Sequence, residues 1–247
     1  MSRPVVILGA SSAIGRALAR RFAAEGHDLV LCARDVDDAD RTARDLALRH
    51  DVEAIACAFE ATKDAHDALW LGRLEARCHG GFAGVVLAYG AMTEEDALRS
   101  DARAAASLVE VNFTSALLIL ERFARVFEAQ SEGFVCAVTS VAGDRGRASN
   151  YVYGATKAAL QTLLSGLRAR LARSGVTVVD VRPGFVDTRL TWGRPGVFLA
   201  ASPDRVARDI VRGIERDRAV VYTPRFWWAI MALIRLLPDP IFKRLPL

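Results

Sequence analysis

Lysine is nearly absent from this chain. Lys63, Lys157 and Lys243 are the only three in 247 residues, and arginine makes up the rest of the 33 basic side chains. Against 29 acidic side chains the formal net charge is only +4, and the arginines are interspersed with acids along most helix-like segments. That is a mixed, solvated surface and not the basic stripe that nucleic-acid binding requires, so no nucleic-acid partner is expected. Cysteine is also scarce. Cys32, Cys57, Cys78 and Cys136 lie far apart with no CxxC pair, which argues against a disulfide framework or a zinc site and for buried free thiols in a reducing compartment. His27, His50, His66 and His79 show no metal-ligand spacing and read as surface or helix-end residues; no metal is expected. The N-terminus lacks the basic n-region, long apolar h-region and cleavage site of a secretory signal. No unbroken stretch approaches the ~18–20 apolar residues that crossing a bilayer needs. A cytoplasmic location is the expectation.

What is present is a chain that is 52% hydrophobic and 25% charged, long enough for one domain to bury roughly three quarters of its unfolded surface without staples. No linker, repeat or low-complexity tract divides it, so residues 1–247 are expected to form a single domain. Short apolar runs at Val5–Leu8, Asp28–Ala33, Ala54–Phe59, Gly84–Ala88, Phe134–Val138, Thr177–Val181 and Ala219–Tyr222 predict seven strands. Between them, Ile14–Glu25, Val36–Arg49, Val111–Ala129, Tyr151–Arg173 and Pro203–Arg216 carry apolar residues every three or four positions and predict helices. Strands without internal alternation, separated by helices, predict an α/β fold: a doubly wound, Rossmann-like parallel sheet with helices on both faces and its ligand beyond the carboxyl ends of the strands. Residues 188–202, with Gly193, Pro195 and Gly196, predict a long loop that is a candidate lid.

Three groups of residues carry chemistry. Gly9-Ala10-Ser11-Ser12-Ala13-Ile14-Gly15 joins the first strand to the first helix, the context in which backbone N–H groups and a helix N-terminus receive a pyrophosphate; Ser11 and Ser12 can add hydroxyl donors. After the second strand comes Arg34, where an arginine would pair with a 2′-phosphate and a carboxylate would bind a free ribose hydroxyl. NADP(H) is therefore favoured over NAD(H), with the adjacent Asp35 pointing the other way. Tyr153 and Lys157 are one helical turn apart, so the ammonium can lower the phenol's ordinary pKa of about 10. Ser140 can bond a substrate carbonyl oxygen, and Asn112 can hold a water-linked proton path.

The order of these residues, followed by Pro183-Gly184-Phe185-Val186-Asp187-Thr188, resembles the short-chain dehydrogenase/reductase family from end to end. The resemblance implies NAD(P)-dependent oxidoreduction catalysed by Asn112, Ser140, Tyr153 and Lys157. It further implies a cofactor cradle of Gly9, Ser11, Ser12, Ile14 and Gly15 with Arg34, Glu60 near the adenine, Ala88 and Gly90 beside the fourth strand, and Pro183, Val186 and Thr188 at the nicotinamide, with Tyr153 and Lys157 also touching cofactor. Dimers or tetramers are usual in the family. Two departures stand out: Ala13 replaces a third glycine, and Ala88-Tyr89-Gly90 replaces the usual Asn-Ala-Gly, removing an amide that ties the central sheet together.

Ala88–Gly90, the segment 140–154 and the tail from Phe226 also resemble the decaprenylphosphoryl-2-keto-ribose reductases. This narrower likeness implies a lipid-linked keto-sugar substrate and a flavin-dependent oxidase as the pathway partner. A generic carbonyl or acyl-carrier-protein reductase and a dinucleotide-sensing regulator are the alternatives. Arg145 and Arg147 are candidates for a lipid phosphate or simply exposed loop arginines. Trp192 and Phe198 are candidates for an apolar substrate. Residues 225–247 form an apolar helix and tail flanked by Arg225, Arg235, Lys243 and Arg244. It is too short to span a membrane and suits either a peripheral membrane contact or a lipid chain, or else packing on the core or a second subunit.

Overall fold

The structure, a computed structural model, describes residues 3–78, 80–193 and 197–245; His79, Pro195 and Gly196 lie outside them. All seven predicted strands are present: β1 (Val5–Leu8), β2 (Leu29–Ala33), β3 (Ala54–Ala58), β4 (Gly84–Leu87), β5 (Phe134–Val138), β6 (Thr177–Pro183) and β7 (Val220–Thr223). They form one parallel sheet in the order β3-β2-β1-β4-β5-β6-β7. The order reverses between β1 and β4, and their carboxyl ends open the crevice where this fold binds ligands.

The helices follow the apolar periodicity. On one face lie α1 (Ala13–Ala24), α2 (Val36–His50) and α9 (Pro203–Glu215), which bury Leu18, Phe22, Leu46 and Ile210 on the sheet. On the other lie α7 (Ser115–Gln130) and α8 (Tyr151–Leu171), burying Phe123, Phe127, Leu160 and Leu164. Short helices α3 (Ala61–Asp64), α4 (Trp70–Glu75) and α5 (Glu95–Ser100) were not legible as periodic segments; at four to six residues they are shorter than two helical turns and show no repeat.

The helix expected from Val111 starts earlier. α6 (Ala102–Val109) runs through a π-helical turn at Glu110–Thr114 into α7. The combined helix Ala102–Gln130 has an 18-residue window of mean hydropathy 1.4, long and apolar enough to cross a membrane by length and composition. Ile119, Leu120, Phe123 and Phe127 along it are fully buried within the fold, but only 33% of that window is buried in all. Cys32, Cys78 and Cys136 are buried thiols as expected, whereas Cys57 is only half-buried on the edge strand β3.

After β7 the chain forms α10 (Phe226–Leu236) and α11 (Asp239–Phe242). Trp227 and Met231 of α10 pack with Val141 and Tyr222 in a small third core, joined by Phe185, Ile230 and Ile234.

Candidate active site

The glycine turn at the end of β1 is built by contact as well as by conformation. Gly9 has φ +89°, and a Cβ there would come within 2.8 Å of Tyr89 N and Cβ. A Cβ at Gly15 would overlap Gly9 O, so glycine is what lets α1 start directly against the turn. Ser12 is the N-cap of α1: its Oγ accepts from Gly15 N at 2.9 Å and donates to Ala88 O at 3.2 Å. Its hydroxyl is thus used in tying β1 to β4, whereas Ser11 is exposed. The N–H groups of Ser11, Ala13 and Ile14 have no protein acceptor among the described residues, and these amides with the helix dipole form a cradle that fits a phosphate anion.

Arg34 is 80% exposed in its side chain and lies 3.9 Å from the Glu60 carboxylate. The adjacent Asp35 is the N-cap of α2, accepting from Asp38 N. Helix capping therefore occupies the carboxylate that pointed towards a free ribose hydroxyl, while the neighbouring guanidinium stays accessible.

Asn112 sits in the π-helical turn and is almost wholly buried. Its Oδ1 accepts from Ala91 N at 2.8 Å; its Nδ2 donates to Ala91 O at 2.9 Å and to Thr156 Oγ1 at 3.3 Å. Both amide protons are spent on clamping the loop after β4 to α8, which leaves one Oδ1 lone pair for a water. The widened turn that aims this side chain is itself pinned. Ser115 N donates back to Glu110 O, and Ser115 Oγ donates to Val111 O at 2.8 Å. The Tyr89 hydroxyl bonds Ser115 Oγ at 2.9 Å. Burial pushes the Tyr89 phenol up out of its ordinary range, so it is neutral at every working pH. Tyr89 thereby ties the end of β4 to α7, a job for which the sequence pointed to a missing asparagine. Replacing Tyr89 with phenylalanine is expected to cost about 1 kcal/mol, a Tm loss of roughly 2–4 °C, and to lower kcat several-fold by loosening Asn112; an unchanged melting curve would exclude the tie.

Ser140, at the end of β5, accepts from Ala142 N at 3.1 Å through its Oγ. With one lone pair held by that amide, its O–H proton is free to point at a substrate oxygen. Gln161 Nε2 holds the Ser140 carbonyl at 2.8 Å. Tyr153 lies in the first turn of α8, and Lys157, 3% exposed, places Nζ 5.8 Å from the Tyr153 ring centre and 3.2 Å from Val138 O. A Cβ on Gly90 would lie 3.3 Å from Asn112 Oδ1 and 3.4 Å from Lys157 Nζ, so Asn112 and Lys157 meet the end of β4 at one point.

Burial lowers the Lys157 pKa to about 8, with Asp180 partly opposing the shift. The unfolded chain therefore binds this proton more tightly than the folded one between about pH 8 and the ordinary value of 10.5. Across that window stability is expected to rise with pH by on the order of 3 kcal/mol relative to Lys157→Met. Paired denaturation curves at several pH values check it; parallel pH dependences would refute it.

Asp180 and Arg182 were missed as site residues, although two charges in an otherwise apolar strand were the available signal. Asp180, 1% exposed, receives Thr139 Oγ1 at 2.6 Å and Arg182 Nε at 2.7 Å. Arg182 also donates to Asp144 Oδ1 at 2.8 Å, and Tyr222 donates to Asp144 Oδ2 at 2.7 Å. This network fastens the loop after Ser140 to β6 and β7. Burial raises the Asp180 pKa, with Arg182 opposing it.

Beyond β6, a Cβ on Gly184 would overlap the Trp227 indole, so α10 lies directly against the loop that follows Pro183. Thr188 N donates to Thr191 Oγ1 at 3.2 Å. A bridge between Val186 and Ala201 closes the base of the loop expected as a lid. Phe198 packs 5.5 Å from both Phe185 and Trp227, whereas Trp192 is 67% exposed and donates to Asp187. The two loop arginines part company. Arg145 donates to Ile234 O and Leu237 O, each at 2.6 Å, pairs with Asp239, and stacks on Phe242 at 3.8 Å. Because a helix C-terminus presents unpaired carbonyls and negative dipole, this guanidinium is consumed as the C-cap of α10 and not held out for a phosphate. Arg147 Nε is buried with no hydrogen-bond partner among the described residues, and burial lowers its pKa against the pull of Asp144.

A family model for short chain dehydrogenases matches residues 3–195. An uncharacterized oxidoreductase of Mycobacterium tuberculosis is 37% identical over 251 residues, covering 98% of this chain and 97% of that protein. Another from Streptomyces coelicolor is 32% identical over 98% of this chain and 96% of its own length. The solved short-chain dehydrogenase from Sphingobium yanoikuyae in complex with NADPH superposes with TM-score 0.80 at 27% identity, covering 99% and 96% of the two chains. With the switch-point crevice, the glycine turn and the Tyr153–Lys157 pair on one rim, these matches make the chain a member of the short-chain dehydrogenase/reductase family, an NAD(P)-dependent oxidoreductase.

Proposed function

We propose that this enzyme uses NADPH to reduce the keto group of a lipid-linked sugar, a polyprenylphosphoryl 2-keto-pentose, in the cytoplasm at the membrane face. The observation that carries the reductase chemistry is the buried Lys157 ammonium beside the Tyr153 ring at the carboxyl ends of β4 and β5. The bound dinucleotide supplies the hydride. The chain's own residues handle position and proton. Ser140 Oγ donates to the carbonyl oxygen and fixes its orientation; Tyr153 Oη delivers the proton to the same oxygen as its negative charge develops. Lys157 holds its positive charge beside the Tyr153 ring, and Asn112 holds the floor of the site, offering its remaining Oδ1 lone pair to a water that returns the proton.

Gly9, Ile14 and Gly15 shape the phosphate cradle in this reading, with Ser11 as donor, Arg34 at a 2′-phosphate and Glu60 at the adenine. Ala88 and Gly90 line the dinucleotide, and Pro183, Val186 and Thr188 hold the nicotinamide end. The relative solved with NADPH and the accessible Arg34 guanidinium support the phosphorylated cofactor. The Arg147 Nε, with no hydrogen-bond partner among the described residues, supports an anionic substrate group, and the apolar Trp192 and Phe198 support a lipid chain. A flavin-dependent oxidase acting on the corresponding hydroxyl would supply the ketone.

The test is a coupled assay of the purified enzyme with such an oxidase and polyprenylphosphoryl ribose, comparing NADPH with NADH and following the epimeric pentose. Turnover with NADPH and a KM that rises on Arg147→Ala for this substrate but not for an uncharged ketone is the expected result. Activity on simple ketones or acyl-carrier-protein thioesters alone would replace the sugar reading with that of a general carbonyl reductase.

A further inference from the structure

Ten of the sixteen exposed large apolar side chains among the described residues fall in two segments, 188–202 and 225–245. Phe198 against Trp227 joins the segments into one edge of the molecule. On α10 the inward face is Trp227, Ile230, Met231 and Ile234. The opposite face presents Trp228 (60% exposed), Leu233 (65%) and Leu236 (80%), with Phe226 at its flank. None of the described residues covers them.

Charge is segregated into the same two sequence segments. Six of the 33 basic side chains lie within 188–202 and 225–247 (Arg189, Arg194, Arg225, Arg235, Lys243 and Arg244) but only one of the 29 acids, Asp239. These segments therefore carry +5 of a total of +4, and the remainder of the chain is −1. The one acid is paired with Arg145. An outward face with large apolar side chains, peripheral cations and no acid on the helix that forms it has the make-up of a segment lying in a lipid interface. A second copy is the poorer occupant: a twofold contact sets a patch against itself, and here it would bring Arg225 and Arg235 of one copy against those of the other.

From this geometry we infer that the α10 edge docks on an anionic lipid surface, with Trp228, Leu233 and Leu236 entering the headgroup region and Arg225 and Arg235 meeting lipid phosphates. This goes beyond the substrate reading and does not need it: an enzyme acting on a water-soluble ketone would dock in the same way.

The test is sedimentation of the full chain with phosphatidylcholine vesicles that contain or lack phosphatidylglycerol, at low and high salt. Binding to the anionic vesicles that weakens with salt is expected. The Trp228→Ser, Leu233→Ser, Leu236→Ser triple variant should lose it, and Arg225→Gln with Arg235→Gln should weaken it by roughly fivefold per cation. Since all five positions are exposed, melting temperature and NADPH oxidation with a soluble ketone should stay at wild-type values. The inference is overturned if the protein stays in the supernatant with anionic vesicles or binds neutral ones equally well. It is also overturned if light scattering shows a dimer that the triple variant converts to monomer, since a second copy then covers the face.

Discussion

Replacing Tyr153 with phenylalanine is expected to lower kcat by roughly 10²- to 10⁴-fold while leaving NADPH affinity nearly unchanged. The substitution removes one oxygen and keeps the ring in the first turn of α8, where the Tyr153 carbonyl accepts from Thr156 Oγ1 at 2.7 Å. The clamp from Asn112 through Thr156 to this turn therefore survives, and so does the Lys157 bond to Val138 O. What disappears is the group able to hand a proton to the developing oxyanion. Hydride transfer would then have to leave a negative oxygen stabilised by Ser140 alone. Single-turnover kinetics with a cofactor titration on the same preparation separate the two quantities. Turnover within about tenfold of wild type would remove Tyr153 as the acid, and a parallel loss of NADPH binding would mark it as a structural residue.

Replacing Arg182 with methionine is expected to cost about 3–5 kcal/mol, which for a chain of this size lowers Tm by about 10 °C. Arg182 neutralises two carboxylates, Asp180 at 1% and Asp144 at 0% side-chain exposure. Methionine fills much of the same space, so the loss is not one of packing. It strands two charges that water cannot reach, and the desolvation cost that the guanidinium offset becomes uncompensated. Asp144 lies in the loop that follows Ser140, so kcat should fall together with stability. Adding Asp180→Asn should recover part of the lost Tm by removing one of the stranded charges. A single variant as stable as wild type would mean that these carboxylates are protonated or hydrated in the fold. Failure of the double variant to recover would shift the weight to the Asp144 pair.

The seven strands and five long helices were legible because their cause is local and repeated: a buried strand is a short continuous apolar run, and a packed helix repeats every three to four residues. The candidate site was legible for a related reason. Gly9 to Gly15 and Tyr153 to Lys157 act across a single turn, so spacing along the chain sets spacing in space. What stayed hidden were bonds to partners distant along the chain. Ser12 looked like a phosphate donor until its hydroxyl met Ala88, 76 positions away, and Arg145 looked available until it met the carboxyl end of α10, 89 positions away. Tyr89 looked like the loss of a tie because its replacement bond runs to Ser115 on another helix.

By itself the amino-acid sequence determined the fold class and the order of elements and offered candidates for proton and phosphate chemistry, all of which depend on neighbours within a turn or two. Only the tertiary structure decided which polar groups are already satisfied by the protein, where Asp144, Asp180 and Arg182 meet, and which face of α10 is left bare. Those outcomes are set by burial and by long-range pairing. A side chain's hydrogen-bonding capacity is the same in every sequence, but whether any of it remains for a ligand depends on what the fold brings against it.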